Sequence, residues 1–250
     1  MPHGFRVYLD LKGEGSPGPE HLRAFASNVF ERGIDTDHQA HVKPYTIGRC
    51  TPVTPAVWAI DLTVATDLLA DALTERLVSG TGVFLGPLRG TVLDGPVLVV
   101  SRTWGDLADA PPVSGAQFSF DTPVVYVHQK EHRAEPTGQR IFGHLRRRWR
   151  NLDPDTAQDV SFEGIEFDVD LHGSRIAIQG AGPRDIESGR AIGRKAVGFV
   201  GTATVSISGA TIEDRFALGA LANAAPFLGS GAWTTAGFGA TSLVVVWVDD

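Results

Sequence analysis

Cysteine is nearly absent: Cys50 is the only one in 250 residues. A single thiol forms no intrachain disulfide and supplies no cysteine-rich zinc site, so an inert, semi-buried side chain is expected there. Long apolar runs are missing as well. Although 42% of residues are hydrophobic, no stretch is long enough to span a bilayer. The opening Met1-Pro-His-Gly-Phe lacks a charged region followed by an apolar one, and the expectation is a soluble, cytoplasmic chain with no membrane partner. Positive charge is scarce, since 22 Lys and Arg against 29 Asp and Glu give a formal net charge of −7. Sequence-independent phosphate affinity comes from many Lys and Arg contacts, so this balance counts against a generic nucleic-acid binder unless the positive charge is gathered locally. Familiar catalytic and cofactor motifs are missing too. There is no Gly-Lys-Ser/Thr phosphate loop, no dinucleotide fingerprint, no Ser-His-Asp elbow and no recognisable pair of catalytic carboxylates, and no cofactor is called for. His38-x-x-His41 and His128-x-x-x-His132 lack a convincing third ligand, which argues against zinc.

What is abundant is glycine near the C-terminal end. Gly229, Gly231, Gly237 and Gly239 fall within Pro226–Gly239, directly before the apolar strand Thr241–Val248. Glycine tolerates positive φ and lets another backbone or a phosphate come close, so such a loop can present N–H groups to an anion. Ser230, Trp233, Thr234 and Thr235 add hydroxyls and an aromatic face, a mixture suited to RNA. The alternative is an ordinary wide turn that needs glycine only for its dihedrals.

Periodicity gives the element order. Phe5–Leu11 alternates as a strand, and Leu22, Phe25, Ala26, Val29 and Phe30 mark a helix from about Glu20 that stops near Gly33. Strands follow at Tyr45–Cys50 and Val57–Val64. Thr66 caps a helix running to Val78, and Val92–Trp104 forms the last strand, with Val83–Leu88 as a hairpin partner. The second half repeats the order. Gln117–His128 is a strand, Gly138–Arg150 a helix, Ile165–Leu171 and a stretch within Lys195–Ser208 a strand pair, Asp214–Ala224 a helix and Ala240–Val248 a strand. An α+β chain of two tandem ferredoxin-like (RRM-like) domains is expected, residues 1–108 and 109–250, joined near the Pro- and Ala-rich stretch after Leu107.

Within the helix Gly138–Arg150, Phe142, Leu145 and Trp149 share one face, which places Trp149 in the core and turns Arg146, Arg147 and Arg150 away from it. The alternatives are a solvated face or a phosphate-binding stripe, which the guanidinium fork suits. Near the N-terminus, His38 and His41 stand just before Lys43 in a segment rich in turn formers. A histidine titrates near neutrality and moves protons, and a lysine stabilises developing phosphorane charge; two inert surface histidines are the plainer reading.

Four stretches together resemble one family. The glycine loop before the last strand is similar to the C-terminal signature of the repeat-associated RNA-binding superfamily of CRISPR systems. Gln139–Arg150 resembles its second-domain helix, and Val197-Gly-Phe199-Val-Gly201-Thr resembles its Gly-Phe-x-Gly strand. Asp37-His38 with Lys43-Pro44-Tyr45-Thr46-Ile47 resembles the His, then Lys-Pro-Phe/Tyr-Thr, segment of the precursor-RNA-cutting branch, the sixth Cas family. The resemblance implies a metal-independent endoribonuclease that cuts CRISPR repeat RNA by 2′-hydroxyl attack, with other effector subunits as further partners. It implies His38 as general acid or base with His41 in reserve, Lys43 as charge stabiliser and Tyr45 as a phosphate-positioning group. The expected RNA-binding set is Arg146, Arg147, Arg150, Arg194 and Lys195, with Gly229, Gly231, Trp233, Thr234, Gly237 and Gly239. A non-catalytic RNA-holding subunit is the competing reading, and a histidine facing the basic helix and glycine loop is what separates the two. An unrelated ligand-binding protein would instead show an enclosed apolar pocket between domains.

Overall fold

The computed structural model describes residues 1–13, 17–31, 42–86, 88–128, 131–178 and 196–248. Strand β1 (His3–Lys12) shows how the first half is built, because Phe5, Val7, Leu9 and Leu11 point into the core while the residues between them face outward. Helix α1 (Pro19–Ala26) continues into a wider helical turn over Ser27–Glu31. Then come β2 (Tyr45–Pro52), β3 (Val57–Val64) and α2 (Asp67–Arg76), whose first turn is capped by Thr66 accepting from the Leu69 N–H. A hairpin of β4 (Gly82–Leu85) and β5 (Leu88–Ser101) completes an antiparallel sheet ordered β2-β3-β1-β5-β4.

Short helix α3 (Trp104–Ala108) leads into the second half. There β6 (Gly115–Val124), the small ribbon β7 (Tyr126–His128) and β8 (Glu131–Arg133), α4 (Gly138–Leu152), β9 (Glu166–Ile178), β10 (Ala196–Ser208), α5 (Ile212–Leu228) and β11 (Thr241–Trp247) follow in turn. The second sheet is antiparallel and ordered β11-β6-β10-β9. Each half therefore has the βαββαβ order with the first strand central, flanked by the third and the last. The chain is two tandem ferredoxin-like domains, as the periodicity predicts.

Among the boundaries that differ from expectation, three have local reasons. Trp104 is not in β5: Thr103 and Asp106 form a reciprocal capping box that starts α3, and Trp104 packs on Trp149 at 5.4 Å between ring centroids. The expected long strand to His128 breaks at Val125, whose carbonyl leaves the sheet to accept the Ala232 N–H at 2.7 Å. Helix α5 runs through Pro226 to Leu228 instead of stopping at Ala224, because Phe227 and Leu228 are buried and their burial outweighs one missing N–H.

Helix α5 is apolar nearly all round and packs against α3, α4, β11 and also β2 and β3 of the first domain. The Thr63 hydroxyl donates to the Phe227 carbonyl at 2.9 Å across that junction. The turn after α5 rests on α1 and β2. Thus the glycine-rich loop is positioned at the contact between domains. Cys50 is half-buried and burial pushes its thiol to about 12, which leaves little thiolate at neutral pH. No helix among the described residues is long and apolar enough to cross a membrane.

Candidate nucleic-acid interface

Helix α4 carries more than the apolar face and the basic stripe. Ile141, Phe142, Leu145 and Trp149 are fully buried, which confirms Trp149 as a core residue. Arg148 stands seven residues after Ile141 and three after Leu145, so helical geometry turns it inward beside them. Only 5% of it is exposed. His144, one turn earlier, shares its side of the helix.

These residues meet the glycine loop and the first domain in a cleft of about 730 Å³. Arg23 of α1, Lys43, Arg147 and Arg148 line it, together with His144, Asn151 and Gly231–Thr235. No carboxylate is among its described lining residues, so the field inside opposes the net charge of the chain. The other large cleft, about 460 Å³, has Asp61 and Asp121 beside Arg6 and Arg49 and lacks this single sign. Among the described residues, no three His, Cys, Asp or Glu side chains are placed to hold a metal ion.

Two hydrogen bonds tie the cleft together. The Arg148 guanidinium donates through Nη2 to the Lys43 carbonyl at 3.3 Å, joining the domains. His144 Nδ1 accepts the Gly231 N–H at 3.2 Å, so the ring proton of the neutral imidazole sits on Nε2. Burial, then the neighbouring Arg148 and Arg147, hold the His144 pKa well below its ordinary value, and the ring is neutral at physiological pH. A histidine does lie between the basic helix and the glycine loop, but it belongs to the helix.

The loop is more occupied than its composition suggests. Gly229, Gly231, Gly237 and Gly239 all have positive φ, and Trp233 at 62° is the only such non-glycine among the described residues. Six loop N–H groups have protein acceptors: Gly229 donates to Ala225, Ser230 to Gly239, Gly231 to His144, Ala232 to Val125, Gly239 to Pro123 and Ala240 to the Thr122 hydroxyl. The expectation that the loop turns its amides outward is corrected at those six, because two of them close the loop on α5 and on itself and the other four splice it to β6, to Val125 just beyond it, and to α4. Ser230 is fully buried, with its hydroxyl 2.8 Å from that of Tyr126, so it is no surface donor. Thr234 is also largely buried, although it borders the cleft. Trp233, half-buried, packs edge-on against Phe238 and His132 and forms one cleft wall.

The three arginines expected to act as one stripe separate. Arg146 lies 4.8 Å over the Phe162 ring, donates to the Val160 carbonyl and approaches Asp159 at 3.8 Å. Arg150 pairs with the same Asp159 at 2.7 Å. Of the three, Arg147 lines the cleft. Tyr45 is 2% exposed and stacks on Phe30 at 4.4 Å, so its ring serves the first core and not the cleft. His38, His41, Arg194 and Lys195 lie outside the described residues. Arg148 and His144 were missed by the sequence reading. The legible signal was an arginine standing on the apolar stripe of α4, where a solvated charge does not belong.

The fold defines the class: a tandem ferredoxin-like protein with a cationic cleft where its two domains meet. The family model of the CRISPR-associated endoribonuclease Cas6 matches residues 118–241. That match covers 124 of the 250 residues, within the second domain. Among solved structures, a Cas6 in a product complex is 22% identical, with 98% of this chain and 100% of that chain covered and a TM-score of 0.77. Cas6 of Thermus thermophilus is 22% identical over 98% of this chain and 99% of that chain with a TM-score of 0.64. The product complex of the same protein is 25% identical over 97% and 99%, with a TM-score of 0.72. The curated proteins contain no match to the chain.

Proposed function

We propose that this protein is a cytoplasmic endoribonuclease that cuts CRISPR precursor RNA within its repeats to give crRNA, with no metal required. The 2′-hydroxyl upstream of the cut attacks the adjacent phosphorus and the bond to the 5′-oxygen breaks, leaving a 2′,3′-cyclic phosphate and a 5′-hydroxyl. The nucleophile comes with the substrate, so the protein has only to move two protons and stabilise charge. His38 transfers protons, with His41 as the alternative, and Lys43 stabilises the phosphorane. The observation that carries the reading is the cleft itself: four cations and no described carboxylate, in an acidic chain, with Val42 and Lys43 on its wall directly after His41 in sequence. Similar Cas6 proteins have been solved as product and substrate-mimic complexes and as a histidine-to-alanine variant, which supports it.

The test is labelled repeat RNA incubated with the protein in EDTA. Cleavage at one position is expected, and a 2′-deoxy residue just upstream of that position should abolish it. Tight binding without cleavage, with or without added metal, would replace the enzyme by a non-catalytic RNA-holding subunit.

Binding should divide the arginines. Each phosphate contact contributes roughly 0.7 to 0.9 to the slope of log affinity against log salt. Arg147→Ala should flatten that slope by about one contact, while the Arg146→Ala/Arg150→Ala double variant should change it less, because Asp159 already neutralises that pair. An unchanged slope in the triple variant would make the whole stripe a solvated face.

A further inference from the structure

Arg148 is a buried cation without an anionic partner among the described residues. Its neighbours Arg146 and Arg150 share Asp159, yet among the described residues no carboxylate pairs with Arg148. Among the described residues its five N–H donors make one bond, to the Lys43 carbonyl, and Nε is buried with no partner. Burial and the adjacent Arg147 charge lower its pKa to about 10, so it keeps its proton at neutral pH. The other described groups that line the cleft cannot neutralise it: His144 is neutral, Asn151 and Thr235 are uncharged, and Arg23, Lys43 and Arg147 repel it. An isolated buried charge opposes folding, and a methionine of similar length would fill the site at lower cost. Groups of this kind persist where a ligand completes them. The missing partner must be anionic and able to meet a planar fork of donors from the cleft side, which describes a phosphate oxygen pair.

Building on the proposed RNA substrate, we propose that Arg148 is a phosphate-binding residue, whose guanidinium receives a backbone phosphate of the bound strand beside Lys43. The bond to the Lys43 carbonyl then fixes the first domain in register with that phosphate. The competing role is a simple bolt between α4 and the Lys43 segment, and the two roles predict opposite changes in stability.

The experiment uses the full chain as wild type, Arg148→Met and Arg148→Lys. Melting is followed with and without inorganic phosphate, and equilibrium binding of repeat RNA blocked by a 2′-deoxy residue is followed across a salt series. Arg148→Met should melt at or above the wild type, lose the stabilisation by phosphate, and bind RNA about 10- to 100-fold more weakly, with a salt slope smaller by about one contact. Arg148→Lys keeps the charge without the fork, so it should bind more weakly than wild type with an unchanged slope. A methionine variant that melts lower than wild type while binding RNA with wild-type affinity and slope overturns the proposal in favour of the bolt. If wild type binds no repeat RNA, the substrate reading fails separately. Phosphate stabilisation present in wild type and absent in Arg148→Met would still establish the anion site, and equal stabilisation of both would overturn it.

Discussion

Replacing His38 by alanine is expected to slow single-turnover cleavage of repeat RNA in EDTA by about 100- to 10,000-fold, while RNA affinity stays near wild type. A group that only moves protons in the transition state contributes to the chemical step and little to the ground-state complex. His41 stands three residues further on in sequence and directly precedes Val42 of the cleft wall, and its loss should do less. Full activity in His38→Ala with loss in His41→Ala would transfer the role. Full activity in both would remove histidine catalysis from this segment. His144 makes the informative control, because its Nδ1 is held by the Gly231 N–H and its pKa is driven far down. A neutral ring so held is a poor base; its substitution should disturb the seating of the loop, and hence binding, more than proton transfer.

Gly239→Val is expected to cost on the order of 4 kcal/mol of stability, from a β-branched residue at positive φ together with overpacking. Its φ is 65°, and a Cβ there would overlap the Ser230 carbonyl, which accepts no displacement because the Ser230 N–H is bonded back to the Gly239 carbonyl at 2.7 Å. That loss approaches the whole stability of an ordinary domain. Gly237→Val should cost about half as much, since its added carbon meets only the flexible end of Leu22, at 2.8 Å, and the dihedral strain remains. Chemical denaturation of both variants measures the difference. Equal melting of Gly239→Val and wild type would reduce the loop to an ordinary turn. RNA binding should fall in Gly239→Val because the cleft wall is lost with the fold, which is a different cause from the loss of a phosphate contact.

The sequence by itself determined what depends on local pattern. Alternation in β1, the apolar faces of α1 and α4, the threonine caps at Thr66 and the glycines before β11 are written in neighbouring residues, and they suffice for two ferredoxin-like domains. The four family motifs were legible for the same reason. Only the tertiary structure decided what each charge faces. Arg146, Arg147, Arg148 and Arg150 are chemically identical in sequence, yet one lies over Phe162, one opens to the cleft, one is walled in beside Lys43 and one pairs with Asp159. Their partners come from the segment after α4 and from the first domain, at separations that no local period encodes. The loop amides follow the same rule. Glycine content announces a tight backbone, but whether its N–H groups meet a ligand or the protein depends on β6 and His144 arriving beside them, and six of them meet the protein.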